Sequence, residues 1–509
     1  MMKIVSNRIS AGRLTVLRRL CTAVEAKAGA EAEATPAVQE GNQRLYQRLS
    51  ALGATKGKAS EILNEYIREG IGAAVGKHHL GRCIRELRKY GKHQCALEIM
   101  EWMVSRGVNF GPKDHAIHLD LIAKVQGVSA AENYFNGLSP DAKVHKTYGA
   151  LLNCYCVEKM VDKALEVFEE MDKMNYAITS LSFNNLMSLY MRLGQPEKVP
   201  PLAEEMKRRN IPLSTFTYNI LMNSYTSLGD IEGVERVFEE IKSKNEKMCH
   251  WTTYSHLAIA YSKAGLNEKA ELALKKLEEE IGPRDREGYH YLISLYAGMS
   301  NLGEVHRAWN SMKSQFQVTP NYSYLIVLQA LSKLNDMDGL KKVFTEWELS
   351  CSSFDMRLAN SVIGAYLRHD MISEAENVFR IGMERSKGPF FLAWEMFAVS
   401  FLKKKKIDRA LQCFEAAVSR VQEHEWSPKP ATIDAFLSYF EEERDVDGAE
   451  KFCSDLKKLS CLNSDVYKSL MQTYTAAGRI SHDMRQRMEE DGIDMSDELE
   501  NLLKKVCPE

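Results

Sequence analysis

The side chains that could support metal or redox chemistry are scattered along this sequence. Eleven cysteines occur, the nearest pair, Cys154 and Cys156, is separated by one residue, and no Cys-x-x-Cys motif is present. Zinc sites and thiol redox motifs depend on closer and more regular groupings. No carboxylate or cysteine stands at metal-ligand spacing from four histidines near the amino terminus, His78, His79, His115 and His118. We therefore predict reduced, buried thiols and no metal site.

The sequence also lacks a recognisable catalytic constellation. No Ser/His/Asp set, phosphate-binding loop or paired-carboxylate motif stands out along the 509 residues. Each of these arrangements needs particular residue types at defined positions. We accordingly predict that the protein is not an enzyme, needs no cofactor and takes no small-molecule substrate.

The composition is that of an ordinary globular chain. Apolar residues make up 45% and charged residues 27% of the 509 residues, which argues against wholesale disorder. No window of about 18 residues is predominantly apolar and free of charge, so no membrane span is expected. The formal charge is 67 − 69 = −2, so net charge gives no indication of nucleic-acid binding. Length alone suggests three or four domains of roughly 150 residues each.

The amino terminus has the character of a targeting segment. Residues 1–24 carry five basic side chains and no acidic one, and Glu25 is the first acid. Such an amphipathic basic segment is typical of a mitochondrial presequence, which we place at residues 1–21, before a flexible spacer at 22–44. A disordered basic tail and a chloroplast address are the alternatives. Removal of residues 1–21 would leave a charge of 62 − 69 = −7.

One pattern recurs along most of the chain: an aromatic or apolar anchor residue is followed by apolar residues three, four and seven positions later. In a clear copy, Tyr218 precedes Leu221, Met222 and Tyr225. Seven of the eleven spacings between consecutive anchors equal 35 residues. The anchors are Leu80, His115, Tyr148, Phe183, Tyr218, Tyr254, Tyr289, Tyr324, Ala359, Trp394, Ile433 and Tyr467. The pattern predicts one helix face that repeats about every 35 residues.

A second amphipathic segment follows each anchor segment. Eleven positions after the anchor stands a glycine or polar residue that would end the first helix: Gly194, Gly229, Gly265, Ser300, Asn335, Asp370 and Gly478. Small or β-branched residues sixteen positions after the anchor indicate where two helices cross closely: Ala131, Ala164, Val199, Val234, Ala270, Val305, Ala375, Ala410 and Ala449. Each repeat is therefore predicted to be a helix-turn-helix hairpin.

One such hairpin can bury its apolar face only against neighbouring hairpins. We therefore predict one continuous array of repeats instead of the three or four separate domains that length alone suggests. We predict an all-α, right-handed α-solenoid of about a dozen 35-residue repeats at residues 77–490. An N-terminal helical cap at 45–76 precedes the array, and a C-terminal helical tail at 491–509 follows it.

These hairpins resemble pentatricopeptide repeats. The resemblance rests on the 35-residue period and on segments such as Thr217-Tyr218-Asn219-Ile220-Leu221-Met222, followed by the turn at Gly229 and by Val237-Phe238-Glu239-Glu240-Ile241. The uniform repeats are similar to the P class of plant organelles, and longer stretches resemble a mitochondrial sub-group with members in the mitochondrial ribosome. The editing class carries a deaminase-like domain with His-x-Glu and Cys-x-x-Cys, and this chain contains neither motif.

The resemblance implies that one repeat reads one RNA base, through the residue after the anchor and the last residue of the repeat. The pairs implied as base readers are Asn184 with Ser214, Asn219 with His250, and Ser255 with Asp285. Only Ser255 with Asp285 matches the family's favoured combinations in full. His290, Leu325 and Glu395 occupy the first reading position in other repeats and do not look like base readers, which argues against a long sequence-specific footprint.

Basic residues recur nine positions after the anchor, at the end of the predicted first helices. Five of eight repeats carry one there, namely Arg192, Lys263, Lys333, Arg368 and Lys403. In the family such positions face RNA phosphates, which carry affinity without reading sequence. The alternative is that these cations only stabilise the carboxyl ends of helices, whose dipoles favour positive charge.

The leading hypothesis is therefore an RNA-binding protein of the mitochondrial matrix that acts in RNA processing, stability or translation through a basic concave groove. Its partner would be single-stranded organellar RNA. The alternative is a structural subunit of the mitochondrial ribosome that holds ribosomal RNA and neighbouring ribosomal proteins. A protein-only scaffold is a third possibility, but such a scaffold has no need of one cation per repeat.

Overall fold

The computed structural model describes residues 45–49, 58–68, 76–177, 179–244, 249–420 and 426–507. These residues form helices and connecting turns, and no strand occurs among them. They divide into two compact units at Lys276 and Leu277. The predicted presequence and spacer, residues 1–21 and 22–44, lie outside the described residues. The boundaries predicted at 45–76, 77–490 and 491–509 stay a prediction.

The first unit consists of consecutive antiparallel helices after a short helical stretch at 45–49. Its last helix, Asn267–Glu279, begins in this unit and ends in the second. The helices are α1 Lys58–Arg68, α2 Lys77–Lys89, α3 His93–Ser105, α4 Pro112–Gln126, α5 Val128–Asn136, α6 His145–Val157, α7 Val161–Lys173, α8 Ser180–Arg192, α9 Val199–Arg208, α10 Thr215–Leu228, α11 Ile231–Lys244, α12 Trp251–Lys263 and α13 Asn267–Glu279.

The second unit continues the same hairpin pattern to the carboxyl terminus. Its helices are α14 Arg286–Gly298, α15 Leu302–Gln315, α16 Asn321–Lys333, α17 Met337–Ser350, α18 Met356–Arg368, α19 Ile372–Arg385, α20 Phe391–Lys403, α21 Ile407–Val418, α22 Pro430–Glu443, α23 Val446–Lys458, α24 Ser464–Ala477, α25 Met484–Glu490 and α26 Asp497–Val506. Consecutive hairpins explain the sequence periodicity, so the prediction of an all-α solenoid of hairpins is confirmed.

The turn inside each hairpin depends on one residue with a left-handed backbone. All seven residues predicted to end a first helix have positive φ, from Asn335 at 58° to Gly229 at 76°. Asparagine, aspartate and glycine tolerate this conformation best. Lys159, Lys405 and Arg444 adopt it at the same repeat position, with φ of 61°, 55° and 56°. The hairpin geometry therefore holds even where the residue type is unfavourable.

Side-chain caps start several of the second helices. Asp336 accepts a hydrogen bond of 3.0 Å from the backbone N–H of Gly339, and Asp445 accepts one of 2.9 Å from Gly448. A carboxylate at this position satisfies an N–H group that has no partner within the helix. A Cβ on Gly339 would stand 2.1 Å from the Asp336 carboxylate, so the cap requires glycine there.

The core lies between the helices of each unit. All nine small or β-branched residues predicted at close crossings, from Ala131 to Ala449, have 0% of their surface exposed. In the second unit, Phe414, Phe436 and Phe452 are also fully buried, with ring centroids 4.7 to 5.7 Å apart. Burial of such rings is the main stabilising contribution that a single hairpin cannot obtain alone.

First helices of consecutive repeats also pack directly against one another within each unit, as α8 packs against α6 and α10, and α18 against α16 and α20. They therefore form one continuous layer in each unit, and the second helices form the other. None of the described helices is long and apolar enough to cross a membrane.

Candidate RNA interface

The aromatic anchors lie in the core of the hairpins. Phe183, Tyr218 and Tyr324 are 0%, 1% and 6% exposed. The Tyr218 hydroxyl donates to Glu240 at 3.1 Å and the Tyr324 hydroxyl donates to Glu346 at 3.0 Å, in each case a carboxylate on the second helix of the same hairpin. Burial, followed by the bond to Glu346, raises the pKa of Tyr324 to about 12. These rings close the hairpin and are not available to stack on bases.

The residue after the anchor is also buried in the three hairpins predicted to read bases. Asn184 is 5%, Asn219 8% and Ser255 2% exposed. Asn219 uses its Nδ2 to donate to Thr252 Oγ1 on the next first helix at 3.2 Å. Ser255 donates to the carbonyl oxygen of Thr252, one turn earlier in its own helix, at 2.7 Å. Asn219 is therefore held by the neighbouring hairpin, whereas Ser255 is turned to its own backbone.

The side chains of Asn184 and Asn219 each have a buried acceptor oxygen that receives no hydrogen bond from the described residues. The Oδ1 atoms of Asn184 and Asn219 have almost no exposed surface and no hydrogen-bond partner among the described residues. Asn360, which follows the anchor Ala359 in the second unit, has the same unpaired Oδ1. An unsatisfied buried acceptor costs about 1–3 kcal/mol. The same unpaired oxygen therefore recurs at one repeat position in three hairpins.

The last residues of the repeats lie just before the first helices. Ser214 is the N-cap of α10, and its Oγ accepts from the backbone N–H of Thr217 at 3.2 Å. His250 is the N-cap residue of α12, with its ring centroid 5.4 Å from that of Trp251. In the second unit, Asp285 is the N-cap residue of α14. All three are partly exposed, so they sit at the rim of the layer of first helices.

Two residues that do not look like base readers join consecutive hairpins instead. His290 lies with its Nε2 2.8 Å from Ser323 Oγ on α16. Glu395 is 2% exposed and accepts from the backbone N–H of Lys429 at 3.0 Å and from Thr432 Oγ1 at 2.7 Å. Both acceptor contacts on Glu395 come from the start of the next first helix, so this carboxylate is structural.

The five predicted phosphate contacts lie at the carboxyl ends of first helices. Lys263, Lys333, Arg368 and Lys403 are exposed and Arg192 is half-buried. The arginines reach back to the preceding hairpin: Arg192 donates to the carbonyl oxygen of Cys156 at 3.0 Å, and Arg368 donates to Ser332 Oγ. The two arginines therefore join consecutive hairpins. This role differs from both predictions for them, which were contact with phosphates and stabilisation of helix carboxyl ends.

Sequence analysis missed two cations at this repeat position. Lys89 and Lys124 stand nine residues after the weaker anchors Leu80 and His115, and the same spacing rule would have found them. Lys89 is exposed, whereas Lys124 donates to Asp120 at 2.8 Å. Asp120 also accepts from Arg88 at 2.8 Å. Burial alone would raise the pKa of Asp120, but Lys124 and Arg88 hold it below its usual range.

The histidines and cysteines have structural surroundings. His115 and His118 each place Nδ1 near the hydroxyl of Tyr134, at 2.8 and 3.1 Å. Burial, and then His115, lowers the pKa of His118 to about 4. Burial raises the pKa of Cys154 and Cys156 to about 12. The part of the chain that the structure describes contains no group of three or more His, Cys, Asp or Glu side chains suited to a metal ion.

Comparison with known proteins points to one family. The profile of the PPR repeat family matches residues 178–226, and the PPR repeat profile matches 146–176, 216–246, 252–280 and 358–384. Two mitochondrial pentatricopeptide repeat-containing proteins of Arabidopsis thaliana are 48% and 46% identical to this chain. They cover 92% and 96% of it, and the matches span 87% and 98% of the relatives.

One further relative is a protein of the large ribosomal subunit. The large ribosomal subunit protein mL101 of Arabidopsis thaliana is 41% identical over 91% of this chain and 94% of its own length. Among solved structures, maize PPR10 in complex with an 18-nt psaJ RNA element superposes with a TM-score of 0.49 and 17% identity, over 97% of this chain and 74% of that one.

Proposed function

Because this chain belongs to the pentatricopeptide repeat family, we propose that it binds single-stranded RNA in mitochondria and acts there in RNA processing, stability or translation. The observation that carries this proposal is the unpaired side-chain oxygen at the residue after the anchor in Asn184, Asn219 and Asn360. A base edge with a free N–H group is a suitable donor for such an oxygen.

In the proposed mechanism, base reading is limited and backbone contacts dominate. Asn184 with Ser214 and Asn219 with His250 read one base each, and Ser255 with Asp285 reads a third. The five cations Arg192, Lys263, Lys333, Arg368 and Lys403 attract the phosphates. Since His290 and Glu395 are occupied by contacts between hairpins, the repeats that contain them add affinity or rigidity without selecting a base.

The proposed location is the mitochondrial matrix. The basic segment at residues 1–21 and the mitochondrial relatives support it. Import of a fusion of residues 1–44 to a reporter into isolated plant mitochondria and chloroplasts tests the address. Uptake by chloroplasts alone would contradict it.

The five cations Arg192, Lys263, Lys333, Arg368 and Lys403, called the stripe below, are tested by charge reversal. In the variant Lys263→Glu, Lys333→Glu, Arg368→Glu, we expect weaker RNA binding and a flatter dependence of the Kd on salt, because fewer counterions are released per strand bound. The assay is fluorescence anisotropy with a labelled single strand of about 20 nucleotides at several salt concentrations.

A matched control removes the charge effect from the comparison. Lys173, Lys341 and Lys342 are exposed on second helices. Their reversal to Glu changes the net charge by the same amount at positions outside the layer of first helices. Equal loss of affinity in both variants would mean that only net charge matters, and unchanged affinity in the first variant would remove the stripe from the mechanism.

A second candidate function is a structural subunit of the mitochondrial ribosome. The 41% identity to mL101 over 91% of this chain supports it, as does the charge of −7 that remains without residues 1–21. In this role the solenoid would hold folded ribosomal RNA and neighbouring ribosomal proteins, with little selection of single bases.

Sedimentation distinguishes the two functions. A tagged copy from purified mitochondria would be run on sucrose gradients with and without RNase and magnesium. A free RNA-binding factor stays near the top or in RNase-sensitive particles without ribosomal RNA. Co-sedimentation with one ribosomal subunit that resists high salt would instead make the structural role the correct one.

A further inference from the structure

The first repeat of the array carries an unusual helix. On α2, His78, Arg82, Arg85 and Lys89 follow one another at intervals of four, three and four residues, which places them on a single face. The opposite face buries Leu80, Cys83, Ile84 and Leu87. The eleven steps from His78 to Lys89, at about 1.5 Å each, make this basic face about 16 Å long.

The charge of this segment opposes that of the chain. Residues 77–92 contain six Lys or Arg and one Glu, a balance of +5, whereas residues 22–509 as a whole carry −7. The remainder of residues 22–509 therefore carries −12. A local concentration of one sign on a chain of the opposite sign indicates a surface that meets a polyanion.

Neighbouring helices neutralise only part of this charge. Lys77 pairs with Asp114 at 2.5 Å and Arg88 pairs with Asp120 at 2.8 Å, and both acids lie on α4. Arg82, Arg85 and Lys89 have no ion-pair partner among the described residues. The fold therefore uses two cations to fix α2 against α4 and leaves three on the outward face.

An exposed aromatic ring ends the basic face. Tyr90 follows the last residue of α2 and is 62% exposed. Lys89 Nζ lies 5.7 Å from the centroid of its ring. The buried anchor tyrosines close hairpins, but this ring has an open surface on which an unstacked base could lie.

We propose that the outward face of α2, with Tyr90 at its end, docks a segment of single-stranded RNA: Arg82, Arg85 and Lys89 hold consecutive phosphates and Tyr90 stacks on one base. This inference rests on the RNA binding proposed above and adds an attachment point that selects no sequence. It makes the first hairpin an affinity element, separate from the reading positions at Asn184, Asn219 and Ser255. The aromatic ring favours a single strand over duplex RNA, whose bases are already stacked.

The test compares two variants of the full chain with wild type, using labelled U20 RNA at several salt concentrations. Three lost phosphate contacts on a single strand reduce the salt slope by about 0.7 × 3, or about 2.1. Between 50 and 200 mM salt, wild type should therefore lose about 18-fold more affinity than the variant Arg82→Gln, Arg85→Gln, Lys89→Gln. Tyr90→Leu should weaken binding at least about fivefold and leave the slope unchanged.

The control variant, Lys173→Gln, Lys341→Gln, Lys342→Gln, should keep the wild-type slope. Circular dichroism establishes that each variant is folded. If the triple variant on α2 does not fold, the pair Arg85→Gln, Lys89→Gln carries the test with a slope change of about 1.4.

The inference would be overturned if the α2 variants bind RNA with the affinity and the salt dependence of wild type. If the variant Lys263→Glu, Lys333→Glu, Arg368→Glu binds more weakly in the same experiment, the proposed function survives. The reverse result, with binding lost only in the α2 variants, would support the inference and refute the role of the stripe in the proposed function. Polyglutamate can replace RNA in the same assay. If its binding is weakened as much by loss of Arg82, Arg85 and Lys89, the surface binds anions in general and the assignment to RNA is overturned. Tighter binding of a blunt RNA duplex than of U20, without an effect of Tyr90→Leu, would also overturn it.

Discussion

The substitution Asn219→Ala separates base reading from stability. In the free protein it removes the bond from Nδ2 to Thr252 Oγ1, which contributes about 0.5–1.5 kcal/mol. It also removes the unpaired Oδ1, whose burial costs about 1–3 kcal/mol. These effects oppose each other, so the net change in stability should lie between a loss of about 0.5 kcal/mol and a gain of about 2.5 kcal/mol.

Glu395→Ala provides the comparison at the same repeat position. This change leaves the backbone N–H of Lys429 and the hydroxyl of Thr432 without an acceptor inside the chain. At about 1–3 kcal/mol for each group, the loss should reach about 2–6 kcal/mol. Since a repeat array need not unfold as one cooperative unit, hydrogen exchange of the amides in α10, α12, α20 and α22 is the appropriate measurement.

The effect on base preference should be larger for Asn219→Ala than for Glu395→Ala. Selection from a randomised RNA pool, followed by sequencing, should show that Asn219→Ala loses the preference at one base and keeps the others. Glu395→Ala should leave every base preference as in wild type. The reasoning is refuted if Asn219→Ala destabilises its neighbours as much as Glu395→Ala does, or if the preferences of Asn219→Ala equal those of wild type.

The remaining predictions concern the fold. Arg444 has a φ of 56°, so Arg444→Gly should stabilise its hairpin by about 1 kcal/mol in hydrogen exchange of the α22 amides. Gly229→Ala, at a φ of 76°, should destabilise its hairpin by a similar amount in exchange of the α10 amides. Ala410 is 0% exposed, so Ala410→Leu should destabilise the chain by about 1–3 kcal/mol, whereas a thermal midpoint equal to wild type would disprove close packing there. Burial lowers the pKa of His256 to about 4. The unfolded chain therefore binds the proton more tightly, and stability present above about pH 6.5 should be lost as the pH falls towards 4, less steeply in His256→Gln.

Much of the fold could be predicted because its determinants are local. The spacing of apolar residues around Tyr218 fixes the buried face of a helix within a few residues of chain. The preference of Gly229 and Asn335 for positive φ ends the helix at that point. Small residues such as Ala410 mark the crossing, because only a short side chain lets two helices approach so closely. Each of these signals acts over less than one hairpin, so the sequence pattern carries it.

The site could be predicted only as a set of repeat positions. Periodicity placed Asn184, Asn219 and Glu395 at one equivalent position. It could not tell that the two asparagines have an unpaired oxygen whereas the glutamate accepts two hydrogen bonds. That difference depends on partners 33 to 37 residues away in the chain, at Thr252 for Asn219 and at Thr432 for Glu395.

Such contacts are decided by the offset of one hairpin on the next. A shift of less than 1 Å makes or breaks a hydrogen bond, but it leaves the apolar pattern of each helix unchanged. For the same reason, tertiary structure alone decided that Arg192 and Arg368 bind the preceding hairpin, and that Arg82, Arg85 and Lys89 have no ion-pair partner among the described residues.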